Sequence, residues 1–250
     1  MLVLEDLGRR RLDALRWCVG AGEPLNPEVI EAWQRGTGHL VRDGYGQTET
    51  VLLCANFPTL EVRPGSMGKP SPGMSVAVID EEGQALPSDS EGDIAVRLRP
   101  DRPVGLFAEY WRNPEATQAC RRGDWYVTGD RAYVDGDGYF WFVGRSDDVI
   151  ISAGYRIGPF EVESALIEHP AVVEAAVVGK GDPMRGTIVK AYVILASGHD
   201  GSERLAGELQ DHVKRVTAPY KYPREIEFVT ELPKTISGKI RRVELRARRD

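Results

Sequence analysis

Three cysteines in 250 residues, Cys18, Cys54 and Cys120, are odd in number and far apart, and no C-x-x-C spacing links them. That excludes a disulfide framework and a zinc site, and leaves small apolar side chains in a reducing compartment. Long apolar runs are also missing, since no stretch approaches the roughly 20 residues that cross a bilayer. The opening Met1-Leu2-Val3-Leu4-Glu5-Asp6 has neither signal nor transit character, so cytoplasm is the expectation. Basic excess is absent too: 32 Lys and Arg stand against 38 Asp and Glu, a net charge of -6, which argues against a general nucleic-acid surface. The one cationic run, Arg241, Arg242, Arg246, Arg248 and Arg249, has the spacing of a solvated terminal helix. Gly65-Ser66-Met67-Gly68-Lys69 has the wrong spacing for a Walker loop and reads as a turn.

With 42% hydrophobic residues, the chain can bury one large core or two modest ones, and two domains are expected. Leu2, Leu4, Leu7 and Leu12 read as the middle of a helix without a start signal. Leu15–Val19 reads as a strand that enters the turn at Gly20, and residues 28–35 follow with helical periodicity. A second strand-to-loop passage runs from Leu40 to Tyr45 and continues through Gly44-Tyr45-Gly46-Gln47-Thr48-Glu49-Thr50, where α/β proteins place ligands. Between about Pro64 and Arg145 short alternating runs predict an antiparallel β region. Its Asp135-Gly136-Asp137-Gly138 lacks the remaining oxygen ligands of a calcium loop and reads as a hairpin turn. Beyond Asp147 the pattern alternates: strands 149–152, 172–178 and 188–195, helices 158–169 and 203–216, then a last strand and helix. The boundary is placed at residues 1–146 and 147–250.

Near the C-terminus, Ile236-Ser237-Gly238-Lys239 sets a lysine on a glycine turn, where a long cationic side chain can swing into a site built elsewhere. Four segments precede it in order: Gly20-Ala21-Gly22-Glu23, Tyr45-Gly46-Gln47-Thr48-Glu49, Tyr126-Val127-Thr128-Gly129-Asp130, and Gly144-Arg145 through Tyr155-Arg156. Together with Lys239 they resemble the adenylate-forming family of acyl-CoA synthetases, non-ribosomal adenylation domains and luciferases. The run from Asp148 to Glu163 is similar to the medium-chain acyl-CoA synthetase branch. The implied fold is the C-terminal part of the large adenylate-forming domain, mixed α/β and α+β, followed by a small mobile α/β domain.

The resemblance implies ATP, Mg²⁺ and coenzyme A, and a carboxylic acid, medium-chain fatty or aromatic, that becomes acyl-adenylate and then acyl-CoA. It implies catalytic roles for Lys239, Thr48 and Glu49, with Thr48 on the α-phosphate and Glu49 on Mg²⁺. Nucleotide contacts fall to Gly20, Ala21, Gly22, Glu23, Asp43, Gly44, Tyr45, Gly46, Gln47, Thr48, Asp130, Arg145, Arg156 and Lys239. Tyr45 would face adenine, Asp130 would take both ribose hydroxyls, and the glycines would let backbone approach base and phosphate. Coenzyme A contacts are carried to Ala153, Gly154 and Tyr155, with Arg185, Lys214, Tyr222, Pro223 and Arg224 as further candidates, and a hinge to Asp147. The family's Ser/Thr/Gly-rich phosphate loop does not occur here, so the chain is expected to be a fragment. The alternatives are a non-catalytic remnant that binds coenzyme A or AMP, or a module that completes a separate N-terminal chain.

Overall fold

A computed structural model describes residue 8 and residues 11–236 and 238–248. The helical start expected over Leu2, Leu4 and Leu7 therefore lies outside the described residues. The chain divides into two compact units, Met1–Ser146 and Asp147–Asp250.

In the first unit β1 (Cys18–Ala21) crosses through α1 (Pro27–Thr37) to β2 (Val41–Gln47), which pairs parallel to it with Gly20 opposite Asp43. The crossover helix is signalled at both ends. Asn26 caps it by accepting from the Glu28 N–H at 2.8 Å, Pro27 occupies the first turn, and Gly38 closes it at φ 75°. The expected loop after Tyr45 is instead strand: β2 continues to Gln47, then turns through residues 48–50 into β3 (Val51–Ala55). The turn closes because the Thr50 N–H donates to the Gln47 carbonyl and the Thr50 hydroxyl accepts from the Gln47 N–H. Val51 at its exit adopts φ 54°, an outlier for a β-branched residue.

The strand-helix unit and the antiparallel region share one sheet. It is nine-stranded and includes β4 (Ser66–Pro70), β5 (Val76–Ile79), β6 (Gly92–Arg97), β7 (Arg121–Arg122), β8 (Trp125–Val134) and β9 (Phe140–Arg145). The order is β1-β2-β3-β4-β9-β8-β6-β5, with β7 also on β8 and the short helix α2 (Pro114–Ala119) leading into it. A core of Leu53, Cys54, Met67, Ile94, Val96, Tyr126 and Phe140 underlies it, and all three cysteines are free. The Asp135–Gly138 turn is a hairpin whose Asp135 carboxylate accepts from the Asp137 and Tyr139 N–H groups, Arg63 and Trp141. Those donors use the oxygens a calcium ion would need.

The second unit starts with a hairpin of β10 (Ile150–Ser152) and β11 (Tyr155–Ile157), then α3 (Pro159–Ile167). A three-stranded sheet follows, β12 (Val172–Asp182) antiparallel to β13 (Gly186–Leu195), with β14 (Glu225–Phe228) parallel to β13. Helix α4 (Glu203–Val216) lies between β13 and β14 in the chain. Its Leu205, Leu209 and Val213 recur every four residues and are buried, and the Ser202 hydroxyl caps it. They join Ile157, Leu166, Val177, Val189 and Val193 in one core. The terminal helix α5 (Arg242–Ala247) departs from the expectation of a solvated basic helix. Leu245 is buried, while Arg242 and Arg246 turn to Glu163 and Asp148.

Candidate functional site

In the first unit the predicted residues gather where β1 and β2 end. Asp130 on β8 is 6% exposed, and two residues of β2 reach it. The Tyr45 hydroxyl and the Gln47 amide each donate to Asp130 Oδ2 at 2.6 Å. Gln47 also donates to the Thr128 carbonyl at 2.9 Å and accepts from the Tyr126 hydroxyl at 3.1 Å. Arg145, paired with Asp130 in the β8–β9 register, places Nη1 3.9 Å from Oδ1. Burial, reinforced by the Asp130 carboxylate, pushes the Tyr45 phenol far above its ordinary value and keeps it a donor. Gln47 thus serves to hold Asp130, a role its motif position did not reveal. Tyr126 belongs to the same chain of bonds.

Thr48 lies exposed on the β2–β3 turn, and Glu49 beside it is half-buried. The Tyr110 hydroxyl donates to Glu49 Oε1 at 2.9 Å, and burial with the Glu49 carboxylate pushes the Tyr110 phenol up to about 12. Sequence reasoning missed Tyr110, which stands 61 residues from Glu49 and outside any strand or helix, so no motif or periodicity marks it. Among the described residues no three His, Cys, Asp or Glu side chains converge. Glu49 offers a single hard oxygen donor at this turn, of the kind that suits Mg²⁺.

The motif glycines have packing reasons. A Cβ on Gly46 would stand 1.8 Å from the Val51 carbonyl oxygen, and one on Gly44 would stand 3.0 Å from Leu52 Cδ1. Close approach of β3 thus requires glycine at 46, whatever the nucleotide needs, whereas a Cβ at 44 would ask Leu52 and the Cys54 carbonyl to give by a few tenths of an ångström. Gly20 faces the Leu25 side chain, Gly22 adopts φ 103°, and Ala21 and Glu23 are exposed.

Asp43 is buried and accepts from the Leu25 N–H at 3.3 Å and the Gly44 N–H at 2.8 Å. Burial outweighs those donors and raises its carboxyl to about 6. The folded form thus holds the Asp43 proton more tightly than the unfolded chain, whose aspartates titrate near about 3.9. The stability this proton confers is present at acid pH and is lost as pH rises from about 4 through about 6, a change of roughly 3 kcal/mol at about 1.4 kcal/mol per unit. A carboxyl ¹³C titration of Asp43 is expected to give a midpoint near 6, and Asp43→Asn to flatten the stability profile over that window. A midpoint near 4 would overturn this reading.

In the second unit, Ala153 at φ 49° and Gly154 at φ 86° form the two-residue turn between β10 and β11. Tyr155 leaves this turn and stacks on Tyr220, with ring centroids 4.3 Å apart, while Arg156 is exposed. Lys214, Tyr222 and Arg224 form one group: Lys214 Nζ sits 4.3 Å and the Arg224 guanidinium 4.9 Å from the Tyr222 ring. The Arg224 guanidinium also donates to the Tyr222 hydroxyl at 2.8 Å, and Lys214 bonds Asp211 at 2.9 Å. Pro223 between them is buried. Arg185 lies apart from this group, on the β12–β13 turn, where its N–H donates to Asp182.

Lys239 lies exposed on a hairpin of its own. Its N–H donates to the Thr235 hydroxyl at 3.0 Å, its carbonyl accepts from the Thr235 N–H at 2.8 Å, and Gly238 turns the chain at φ 89°. Lys234 bridges Ile240 at the base, and Ile240 packs on Ala176, Val178, Tyr192, Leu232 and Leu245. Ser237 of this turn lies outside the described residues.

Two family models match the chain, the AMP-binding enzyme over residues 2–111 and the AMP-binding enzyme C-terminal domain over residues 161–239. Acyl-coenzyme A synthetase ACSM3 of Rattus norvegicus is 59% identical over 98% of this chain and 43% of its own length. The ACSM4 synthetase of Homo sapiens is 60% identical over the same shares. Among solved structures, the anthranilate CoA ligase AuaEII in complex with anthranoyl-AMP aligns at a TM-score of 0.89 and 42% identity, over 98% of this chain and 47% of that one. The chain thus spans less than half the length of these relatives. Both synthetases are named mitochondrial, which overturns the expectation of a cytoplasmic protein. The cysteine pattern separates secreted from intracellular proteins but does not separate one intracellular compartment from another. With both family models matched in order and a shared fold along nearly its whole length, this chain belongs to the adenylate-forming AMP-binding enzyme family.

Proposed function

We propose that this chain carries the nucleotide-closing and acyl-transfer part of an acyl-CoA synthetase that activates a medium-chain fatty or aromatic acid with ATP and passes the acyl group to coenzyme A. The observation that carries this reading is the convergence of Tyr45 and Gln47 on Asp130, more than 80 residues away in sequence, on a sheet that also presents Arg145. An anchored carboxylate suits ribose hydroxyls, and the neighbouring guanidinium suits ribose or phosphate. We assign Asp130 to the ribose hydroxyls, its carboxylate held in place by the Tyr45 and Gln47 donors on Oδ2.

In the first half-reaction the substrate carboxylate attacks the α-phosphorus, and pyrophosphate leaves. Charge builds on the phosphoryl oxygens, so fixed donors and cations aimed there lower the barrier. Thr48 donates to the α-phosphate and Lys239 brings the mobile cation. Glu49 would hold the magnesium that ATP carries, and the ion would supply positive charge to the phosphates there. In the second half-reaction the coenzyme A thiol displaces AMP. The Ala153-Gly154-Tyr155 turn lines the path of the pantetheine arm, and Lys214 and Arg224 meet its phosphates. We assign the pivot between these two uses of the second unit to Asp147.

Calorimetric titration of the 250-residue chain with a non-hydrolysable acyl-adenylate analogue and, separately, with coenzyme A tests the reading, alongside an assay of pyrophosphate release. Both ligands are expected to bind. Arg224→Ala is expected to weaken coenzyme A about tenfold, in line with a charge-assisted phosphate contact, and to leave the analogue unaffected. Failure of both ligands to bind would overturn the proposal.

A further inference from the structure

Lys239 is exposed on its hairpin, and the helix that follows it carries a network of charged groups. Helix α5 begins at Arg242, three residues after Lys239. The Arg242 guanidinium grips Glu163 of α3 through Nη2, at 2.9 Å and 2.8 Å to the two carboxylate oxygens. Glu163 is 5% exposed, and its Oε1 also accepts from the Val177 N–H of β12 at 2.8 Å. Arg242 Nη1 lies 3.9 Å from Asp148 Oδ2, and Arg246, one turn along α5, bonds the other oxygen of Asp148. Asp148 is the second residue of the second unit.

This arrangement is costly unless it fixes something. A buried ion pair gives little net stability over an apolar filling of the same volume, and a planar guanidinium fork specifies orientation more than affinity. Here the fork joins three elements: α5, α3 with β12, and the chain segment that opens the unit. The hairpin leans on the same helix. Its Arg241 N–H donates to the Pro233 carbonyl at 2.8 Å, so the hairpin closes at the residue immediately before α5. The run of C-terminal arginines therefore has a use that its sequence pattern concealed.

We propose that Arg242, with Asp148 and Glu163, is a positioning residue for Lys239: the network locks the lysine hairpin to the segment beside the pivot, so that a rotation there is delivered to the Lys239 ammonium without slack. The proposal rests on the assignment of Lys239 to adenylation. Loss of the network lets α5 and the hairpin shift against the sheet, and Lys239 then reaches the α-phosphate in a smaller fraction of molecules.

Hydrogen exchange on the 250-residue chain tests the anchoring without any turnover. In Arg242→Met the amides of Thr235, Lys239 and Arg241 are expected to exchange at least tenfold faster, while those of β12 and β13 keep their protection. Arg246→Ala, which cuts only the Asp148 tie at a partly exposed site, is expected to give a smaller loss confined to the same amides and serves where Arg242→Met does not fold. Unchanged hairpin protection in Arg246→Ala and in any folded Arg242 variant, or equal loss across the unit, would overturn the proposal. The consequence for Lys239 is read from a double-mutant cycle on acyl-adenylate analogue affinity. Arg242→Met and Lys239→Ala are each expected to weaken binding by a similar factor, and the double variant to be no weaker than Lys239→Ala, because the two act as one unit. Additive losses would sink the coupling. Should Lys239→Ala alone leave both the analogue affinity and pyrophosphate release unchanged, the functional assignment of Lys239 fails, while the exchange result still decides whether the network anchors the hairpin.

Discussion

Replacing Lys239 with alanine is expected to slow acyl-adenylate formation about 10²- to 10³-fold, the loss typical of one well-aimed group at a developing charge. Thioester formation from preformed acyl-adenylate is expected to continue at nearly the original rate. The asymmetry follows from where the lysine sits. Its hairpin is closed by Thr235 and Gly238 and based on Ile240, and the exposed Lys239 side chain is no part of the core on which that base packs. Folding should therefore be unaffected, and Lys239→Arg should recover only part of the rate, because a planar fork does not replace a compact ammonium. The check is pyrophosphate release measured beside acyl transfer from synthetic acyl-adenylate. Equal loss in both would count against the division of labour between the Lys239 hairpin and the Ala153–Tyr155 turn.

Gly46→Ala is expected to be among the most damaging single-methyl changes in the first unit. The added carbon would lie 1.8 Å from the Val51 carbonyl oxygen and 2.7 Å from the Val51 carbonyl carbon, and both are backbone atoms that no side-chain rotation can clear. Relief means separating β2 from β3 at the turn that carries Thr48 and Glu49. A loss of roughly 4 kcal/mol is expected, at the upper end of single-substitution effects, with a fall in melting temperature of about 10 °C or more. All five tryptophans lie before residue 147, so tryptophan fluorescence reports the first unit alone. Gly136→Ala is the control, because a Cβ there meets open space at an ordinary φ. If Gly46→Ala melts normally and only nucleotide binding is lost, the glycine serves the ligand and not the hairpin.

Much of this fold was legible because its signals are local. Helices α1 and α4 were read from periodicity over residues 28–35 and 203–216, and the caps Asn26, Gly38 and Ser202 that bound them in the structure are local signals of the same kind. The joining of β3 to β4 was not legible. It depends on pairing Cys54 with Pro70 and Ala55 with Lys69, contacts that carry no periodic trace. The site divides the same way. Tyr45, Asp130, Arg145 and the Tyr126 segment stood out by motif, whereas the bond of Tyr126 to Gln47 became visible only through sheet register, and Tyr110 only when an irregular segment brought it to Glu49. The basic C-terminus misled for a related reason: Arg242 and Arg246 meet acids nearly 80 and 98 residues away, a distance over which charge counting says nothing.

The close approach at Gly46 bears on how such segments are recognised across degraded or duplicated genes. A glycine that strand pairing demands will be retained by any descendant that still folds, including one that has stopped turning over ATP. A surviving Tyr-Gly-Gln-Thr-Glu signature is then a record of architecture. On the proposed assignment, erosion of catalysis would register first at Lys239 and Thr48, two exposed positions where strand pairing makes no demand on the side chain.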